Sequence, residues 1–508
     1  LLLCVASVVT LAYLGHLPLL DPDEPVYAET AREMLQFQDF ISPRIYGEFW
    51  YDKPPMYYWL VAVAFKIWGI GEFAARLPSA LLAIGGSVVV YLSGRELFTE
   101  RAGLLAGLVL TTSLEYFYLG KAAVTDITLT FFLTLALLAY LHNRYDLLFI
   151  GAALAVVTKG PIGIIFCAAI IGLHVIVTKN WAVFKSMKIL RGTMLFLMIA
   201  LPWYVLMYQY HGMAFIETFL GFHNVARFLK PEHPSGTLWY YYVPVLIVGF
   251  FPWTAFMLQA CKAALRQRSA DWNRLVFLVI WAVTVFVFFS MAQTKLVSYI
   301  LPMYPPLALL VGWYFDKAWS EKQFSMLKWS AAMLTVVAVI LEAGLFYLAN
   351  TMPELYVPGM VAATVLIAAN AFVWWFSLRQ DFRSVFTVNV VAMLFFSIYL
   401  VVQLLPAIAP AYSMKSFVED FNQHYDGHSQ VYIAKFYRPG FMFYSGMPGN
   451  ELMDDDAVKT LLVKDEAAFF IVKAQTYKNL PAQLQNDIIV LTASEDKALL
   501  YRKRQNLM

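Results

Sequence analysis

Residues 1–20 read LLLCVASVVTLAYLGHLPLL and run directly into the acidic stretch Asp21-Pro22-Asp23-Glu24. An uncharged apolar run of about 20 residues is what a helix needs to cross a bilayer. The return of charge immediately after it places the acidic stretch at the membrane surface. No small-residue cleavage site follows, so the run reads as a retained first span rather than a removed leader.

The same alternation continues along the chain. Apolar runs at residues 77–93, 103–119, 127–141, 147–158, 162–177, 193–208, 241–261, 275–290, 296–315, 329–349, 358–378 and 385–408 bring the expected spans to 13. Met56–Trp68, ended by Gly69, is too short to cross and fits an interfacial or re-entrant helix. Composition agrees: of 508 residues, 60% are hydrophobic and 14% charged, against roughly 25% charged in soluble domains. Lipid is the solvent.

A net charge of +3 gives no reason to expect a nucleic-acid partner. Cys4, Cys167 and Cys261 have no paired spacing and suggest neither disulfides nor a metal site. No Gly-rich phosphate loop or dinucleotide fingerprint is present, so no nucleotide cofactor is expected.

Lys and Arg concentrate in alternate loops, among them Arg95, Arg144, Lys185, Arg191, Lys262, Arg274 and Arg379, and these loops are assigned to the cytoplasmic side. Loops 21–76 and 209–240 then face outward. The chain divides into a membrane domain, residues 1–409, and a small outer α/β domain, residues 410–508. The latter is signalled by alternating runs at 430–435, 467–473 and 487–492 between Gly- and Pro-containing turns.

The first outer loop is densest in functional groups. Asp21 fits a helix cap, with Pro22 in the first turn and Glu24 reaching back. The following helix puts Tyr27, Ala31 and Met34 on one face and Glu29, Arg32 and Glu33 elsewhere, as an amphipathic helix on the lipid surface would. Asp23 has no structural task in this scheme. At the membrane edge it suits a general base or an electrostatic partner for an amine or metal.

In Tyr51-Asp52-Lys53-Pro54-Pro55, Lys53 suits a phosphate at head-group depth, the structural alternative being a Lys-aromatic interfacial anchor. Asp126 stands at the outer edge of a span, five residues after Lys121. Lys159 interrupts two apolar runs in Thr158-Lys159-Gly160-Pro161, and Lys295 lies in another outer loop. Such cations on one membrane face suit an anionic lipid head group. His223 and His233, with Arg227 between them, suit a divalent metal or a phosphate, or plain surface polarity.

Asp23-Glu24-Pro25-Val26-Tyr27-Ala28-Glu29, Tyr51-Asp52-Lys53-Pro54-Pro55 with Tyr58-Trp59, Arg76-Leu77-Pro78-Ser79, Thr125-Asp126, Thr158-Lys159-Gly160-Pro161 and residues 223–228 resemble, in this order, the bacterial aminoarabinose transferases. These lipid A-modifying enzymes are relatives of the protein O-mannosyltransferases and share the GT-C membrane glycosyltransferase fold. The resemblance implies an α-helical polytopic enzyme of the bacterial inner membrane with its active site facing the periplasm. It implies inverting transfer of a sugar from a polyprenyl-phosphate donor, without nucleotide, to lipid A or another periplasmic acceptor. The expected sugar is 4-amino-4-deoxy-L-arabinose or a relative of it, and the alternative acceptors are a protein or another glycan.

Asp23 matches the family's catalytic acid and Asp126 a second acidic position. Lys53 matches a phosphate contact, and Arg227, Lys159 and Lys295 join it as donor-phosphate candidates. Tyr27, Tyr51 and Tyr58 are the substrate candidates, and Asp52, His223 and His233 the candidates for a divalent metal. Val26 departs from the family's usual arginine and removes one phosphate ligand. The competing classes are a lipid flippase, which calls for charges near mid-span and related halves, and an interaction protein presenting its tail. The notable charges lie at the outer edge and no related halves are detected, and the interaction reading leaves the loop-one cluster without purpose.

Overall fold

The structure is a computed structural model describing residues 1–230, 238–267, 271–321, 327–463, 467–494 and 496–502. Each apolar run of the membrane domain contains helix. Six described helices are long and apolar enough to span a bilayer: Glu72–Leu97, Ile189–Leu229, Trp272–Met291, Leu327–Thr351, Pro353–Leu378 and Phe382–Ile408. Two bent helix pairs pass the same test only when taken together, Glu100–Thr111 with Leu114–Gly120 at 67° and Tyr242–Gly249 with Thr254–Arg266 at 103°. The other expected spans are shorter helices packed among these, including Thr125–Leu141, Tyr145–Lys159 and Ile162–Thr178.

The first run departs most from expectation. Its helix, Leu2–Leu11, covers only half of it. Two cations explain the early stop, because a helix end leaves carbonyls that need donors. Lys121 Nζ donates to the carbonyls of Val9, Thr10 and Ala12 at 3.2, 2.9 and 2.5 Å. Arg76 donates to those of Leu14, Leu17 and Pro18. The irregular segment before Asp21 is thus satisfied from neighbouring helices, which residues 1–20 alone cannot reveal.

Met56–Trp68 is a 13-residue helix as expected; Tyr57, Tyr58 and Val61 are fully buried against the bundle, while Val63, Ile67 and Trp68 are exposed. The helix Asp23–Phe37 likewise buries Glu29 and Glu33 along with Tyr27 and Met34. Protein encloses much of its circumference. One polar face is taken by the outer domain: Arg32 donates to the carbonyls of Phe443 and Met442 at 2.9 and 3.0 Å. Glu33 accepts from the Gly47 backbone N–H at 3.0 Å, bracing the small hairpin of β1 (Arg44–Ile45) and β2 (Glu48–Phe49).

The start of this helix also differs from the capping scheme. Pro22 is the cap residue, and Asp21 does not cap. The Asp21 carboxylate is buried against Gly440 and the charge of Lys497 in the outer domain. Glu24 does reach back, accepting from the Leu20 N–H at 2.8 Å, and also accepts from the Ala123 N–H at 2.7 Å. Arg76 grips it bidentately at 2.8 and 2.7 Å. Glu24 therefore ties the acidic stretch to the helix Glu72–Leu97 and to the turn before Thr125–Leu141.

The outer domain is a five-stranded mixed sheet in the order β4-β3-β5-β7-β6. Its strands are β3 (Gln430–Ala434), β4 (Asn450–Leu452), β5 (Ala468–Lys473), β6 (Ile488–Ala493) and β7 (Lys497–Arg502). β4, β3 and β5 run parallel, connected through the helices Arg438–Ser445 and Asp455–Val463. β7 and β6 are antiparallel. Further ties to the membrane domain are Lys415 with Glu72 at 2.9 Å, Tyr444 Oη accepting from the Leu19 N–H at 2.7 Å, and Arg438 stacked over Tyr46 at 3.9 Å.

Candidate active site

Between the first loop, the bundle's outer edge and the soluble domain lies a cavity of about 1020 Å³. Each charged wall residue stands where the chain changes course. Asp23 opens the helix that follows the first run. Asp52 and Lys53 precede the two prolines that start Met56–Trp68. Asp126 lies in the first turn of Thr125–Leu141. Lys159 ends its helix because Gly160 takes a φ of +79° and Pro161 begins the next. Arg227 follows a wide-turned helical segment, Glu217–Ala226, beyond a kink at Gly212.

The charges sort into two paired groups and one free carboxylate. Asp52 Oδ1 lies 2.9 Å from Lys53 Nζ, 2.7 Å from His223 Nδ1 and 3.1 Å from an Arg227 guanidinium nitrogen. Burial pushes the Asp52 carboxyl up, but these three neighbours outweigh it and hold it well below the usual carboxylate range. Burial lowers the Lys53 ammonium, with Asp52 offsetting part of the effect. Asp126 is paired with Lys159 at 2.7 Å, and the Lys159 ammonium also sits 4.7 Å from the Tyr299 ring centre.

Asp23 has no hydrogen-bond partner among the described residues. Its carboxylate projects into the lumen, open to a water molecule yet walled by protein. Removal from bulk water raises its affinity for a proton first, then the charges of Asp126 and Asp52, while Lys53 and Lys159 oppose the shift. An accessible, raised carboxylate facing three cations is suited to hold a cationic or proton-donating substrate beside an anionic leaving group.

Asp23, Tyr27, Asp52, Lys53, Asp126, Lys159 and Arg227 thus line one cavity, and His223 joins through Asp52. The other sequence candidates do not meet there. Tyr58 is fully buried behind Tyr27, with ring centres 5.9 Å apart. Tyr51 packs on His211 and Phe215 at 5.3 and 5.9 Å. Lys295 is buried and donates to the Ala292 carbonyl at 2.6 Å, away from the lumen. His233 lies outside the described residues.

Among the described residues no group of three His, Cys, Asp or Glu side chains converges as metal ligands. Asp52 and His223 meet, but Lys53 and Arg227 occupy the same oxygen. The described side chains do not form a metal cage.

Several wall residues had escaped the sequence reading. Glu115 lines the cavity from within an apolar run and accepts a hydrogen bond from the Tyr304 hydroxyl. It is the lone acid of residues 103–119, and a carboxylate inside a span is itself a functional signal. Trp50 and Tyr299 carry no such local mark. Nor do Lys435, Phe436 and Lys473, which the outer domain contributes only through docking.

Residues 52–206 match the dolichyl-phosphate-mannose-protein mannosyltransferase family. The chain superposes on the crystal structure of ArnT from Cupriavidus metallidurans bound to undecaprenyl phosphate with a TM-score of 0.79, covering 98% of this chain and 97% of that one at 20% identity. The undecaprenyl phosphate-alpha-4-amino-4-deoxy-L-arabinose arabinosyl transferase of Edwardsiella ictaluri is 29% identical over 335 residues, 62% of this chain and 60% of its own length. An uncharacterised Aquifex aeolicus protein is 28% identical over 383 residues, 72% of this chain and 74% of its own. The match thus spans less than two thirds of the named transferase. The fold is that of the ArnT crystal structure. In sequence, the chain is similar to a bacterial aminoarabinose transferase over part of its length.

Proposed function

We propose that this protein is an inverting glycosyltransferase that moves 4-amino-4-deoxy-L-arabinose from undecaprenyl phosphate to a phosphate of lipid A. The observation that carries the reading is the free, raised carboxylate of Asp23 facing Lys53, Arg227 and Lys159 across one enclosed cavity. The named relatives act on this donor, and the ArnT structure holds undecaprenyl phosphate. The Lys and Arg bias of the loops supports an inner-membrane protein with this cavity on the periplasmic side.

In this mechanism Lys53, Arg227 and Lys159 receive the donor phosphate and stabilise the negative charge it gains as the glycosidic bond breaks. An acceptor phosphate oxygen attacks the anomeric carbon from the opposite face and forms the new bond. The electron pair of the broken bond leaves on undecaprenyl phosphate. The acceptor is already ionised, so Asp23 abstracts no proton from it; it holds the cationic sugar in line and stabilises the positive charge developing on the ring. Val26 lines the cavity in place of arginine, leaving phosphate recognition to the three cations named.

The test is incubation of purified protein with undecaprenyl-phosphate-linked aminoarabinose and lipid A, with the product read by mass spectrometry. Lipid A heavier by one aminoarabinose supports the assignment. Donor movement across vesicles without any covalent product overturns it in favour of a transporter.

A further inference from the structure

The outer domain has a local strand order of β4-β3-β5, in which the chain leaves β3 for β4 on one side and returns to β5 on the other. In parallel α/β sheets such a reversal opens a crevice at the carboxyl ends of the two central strands, where ligands bind. Here that edge faces the catalytic cavity. Ala434 to Phe436 after β3, Leu452 to Asp454 after β4, and Val472 with Lys473 at the end of β5 all line it.

Lys435 and Lys473 stand at equivalent places on this edge. Ile433 of β3 is in register with Ile471 of β5, and each lysine follows its isoleucine by two residues. Neighbouring strands are about 5 Å apart, so the two lysines leave the same edge of the sheet from adjacent strands. Both lysines are exposed toward the cavity, and among the described residues neither is paired with a carboxylate.

The nearby acids are already engaged. Glu451 is paired with Arg438 at 3.0 Å, and Asp454 accepts from the Ala457 N–H at 2.7 Å as a helix cap. Phe436 and Met453, 46% and 83% exposed, place apolar surface beside the two charges.

We propose that the carboxyl edge of the outer domain's sheet is the acceptor subsite, in which Lys435 and Lys473 hold the phosphate monoester of an amphiphilic acceptor across the cavity from the donor-phosphate cations. This deepens the glycosyltransferase reading and rests on it for the word acceptor. The chemistry is that of a lipid phosphate: two cations for the dianion, with exposed Phe and Met for the adjoining apolar part. The outer domain then supplies one substrate and the membrane domain the other, which explains why the domain is tied down by Arg32, Lys415 and Tyr444.

The test is equilibrium binding of lipid A to the full chain in detergent, with undecaprenyl phosphate saturating the donor site. Arms with dephosphorylated lipid A and with inorganic phosphate separate the lipid from the bare anion. Loss of two screened charge-assisted contacts predicts about a tenfold weaker lipid A affinity in Lys435→Ala/Lys473→Ala. Undecaprenyl phosphate affinity should be unchanged, and Lys435→Arg/Lys473→Arg should restore lipid A binding. Dephosphorylated lipid A should bind the wild type weakly and be indifferent to the substitutions.

Unchanged lipid A affinity in the double alanine variant, or equal loss for lipid A and undecaprenyl phosphate, overturns the proposal. So does inorganic phosphate competing as tightly as the lipid. A transfer assay without product refutes the glycosyltransferase reading and leaves this binding difference to be judged separately.

Discussion

Asp52→Asn removes the negative charge that Lys53, His223 and Arg227 share while keeping the side chain's shape. All three groups lie within 3.1 Å of a single oxygen. Deleting one partner from a buried charge cluster costs about 3–5 kcal/mol. The Arg227 side chain retains 25% exposure, which places the cost near the lower end, about 3 kcal/mol. A donor phosphate offers the missing negative charge to the same cations. If it recovers half of that loss, the variant binds undecaprenyl phosphate about tenfold more tightly than the wild type.

Two measurements on detergent-solubilised protein check this: thermal unfolding with and without undecaprenyl phosphate, and a binding titration. The variant should melt earlier alone and close much of the gap when the ligand saturates. A variant as stable as the wild type without ligand, or one that binds undecaprenyl phosphate more weakly, would refute the idea that Asp52 holds the donor-phosphate cations in readiness.

Asp126→Asn removes a charge that raises the Asp23 carboxyl and unpairs Lys159, and both changes favour ionised Asp23. The acid limb of the kcat/KM profile should therefore move to lower pH; a limb that stays or moves up contradicts the electrostatic reading. Glu24→Gln should destabilise the fold by about 3–5 kcal/mol, because it leaves the buried Arg76 guanidinium without its counter-charge, and calorimetry reads the loss. Glu29 is raised from 4.5 to about 7, chiefly by burial, with Arg32 opposing. The folded state therefore holds its proton more tightly than the unfolded, and stability should fall as pH rises from about 4.5 through 7. Melting curves of Glu29→Gln should lack that component.

How much of this was legible depended on whether a residue's task is set by its neighbours in sequence. The apolar runs state the membrane bundle directly, and the helix Met56–Trp68 was readable to its ends from two prolines and a glycine. Asp23, Lys53, Asp126, Lys159 and Arg227 were each singled out in the sequence, and all five reached the cavity. Tyr51, Tyr58 and Lys295 carried similar marks and did not. An aromatic ring near a membrane surface reads the same whether it faces a lumen or a packed interior. The stop at Leu11 depends on Lys121, more than a hundred residues away, and the misread Asp21 depends on Lys497 in another domain. Contacts of that range leave no local periodicity.

The central claim is that Asp23 is the group on which sugar transfer turns. Single-turnover transfer of aminoarabinose by Asp23→Asn, with donor binding measured on the same preparation, tests it most directly. The account predicts donor affinity within a few-fold of wild type and a transfer rate lower by about a hundredfold or more. Transfer at the wild-type rate with the donor bound normally would contradict it.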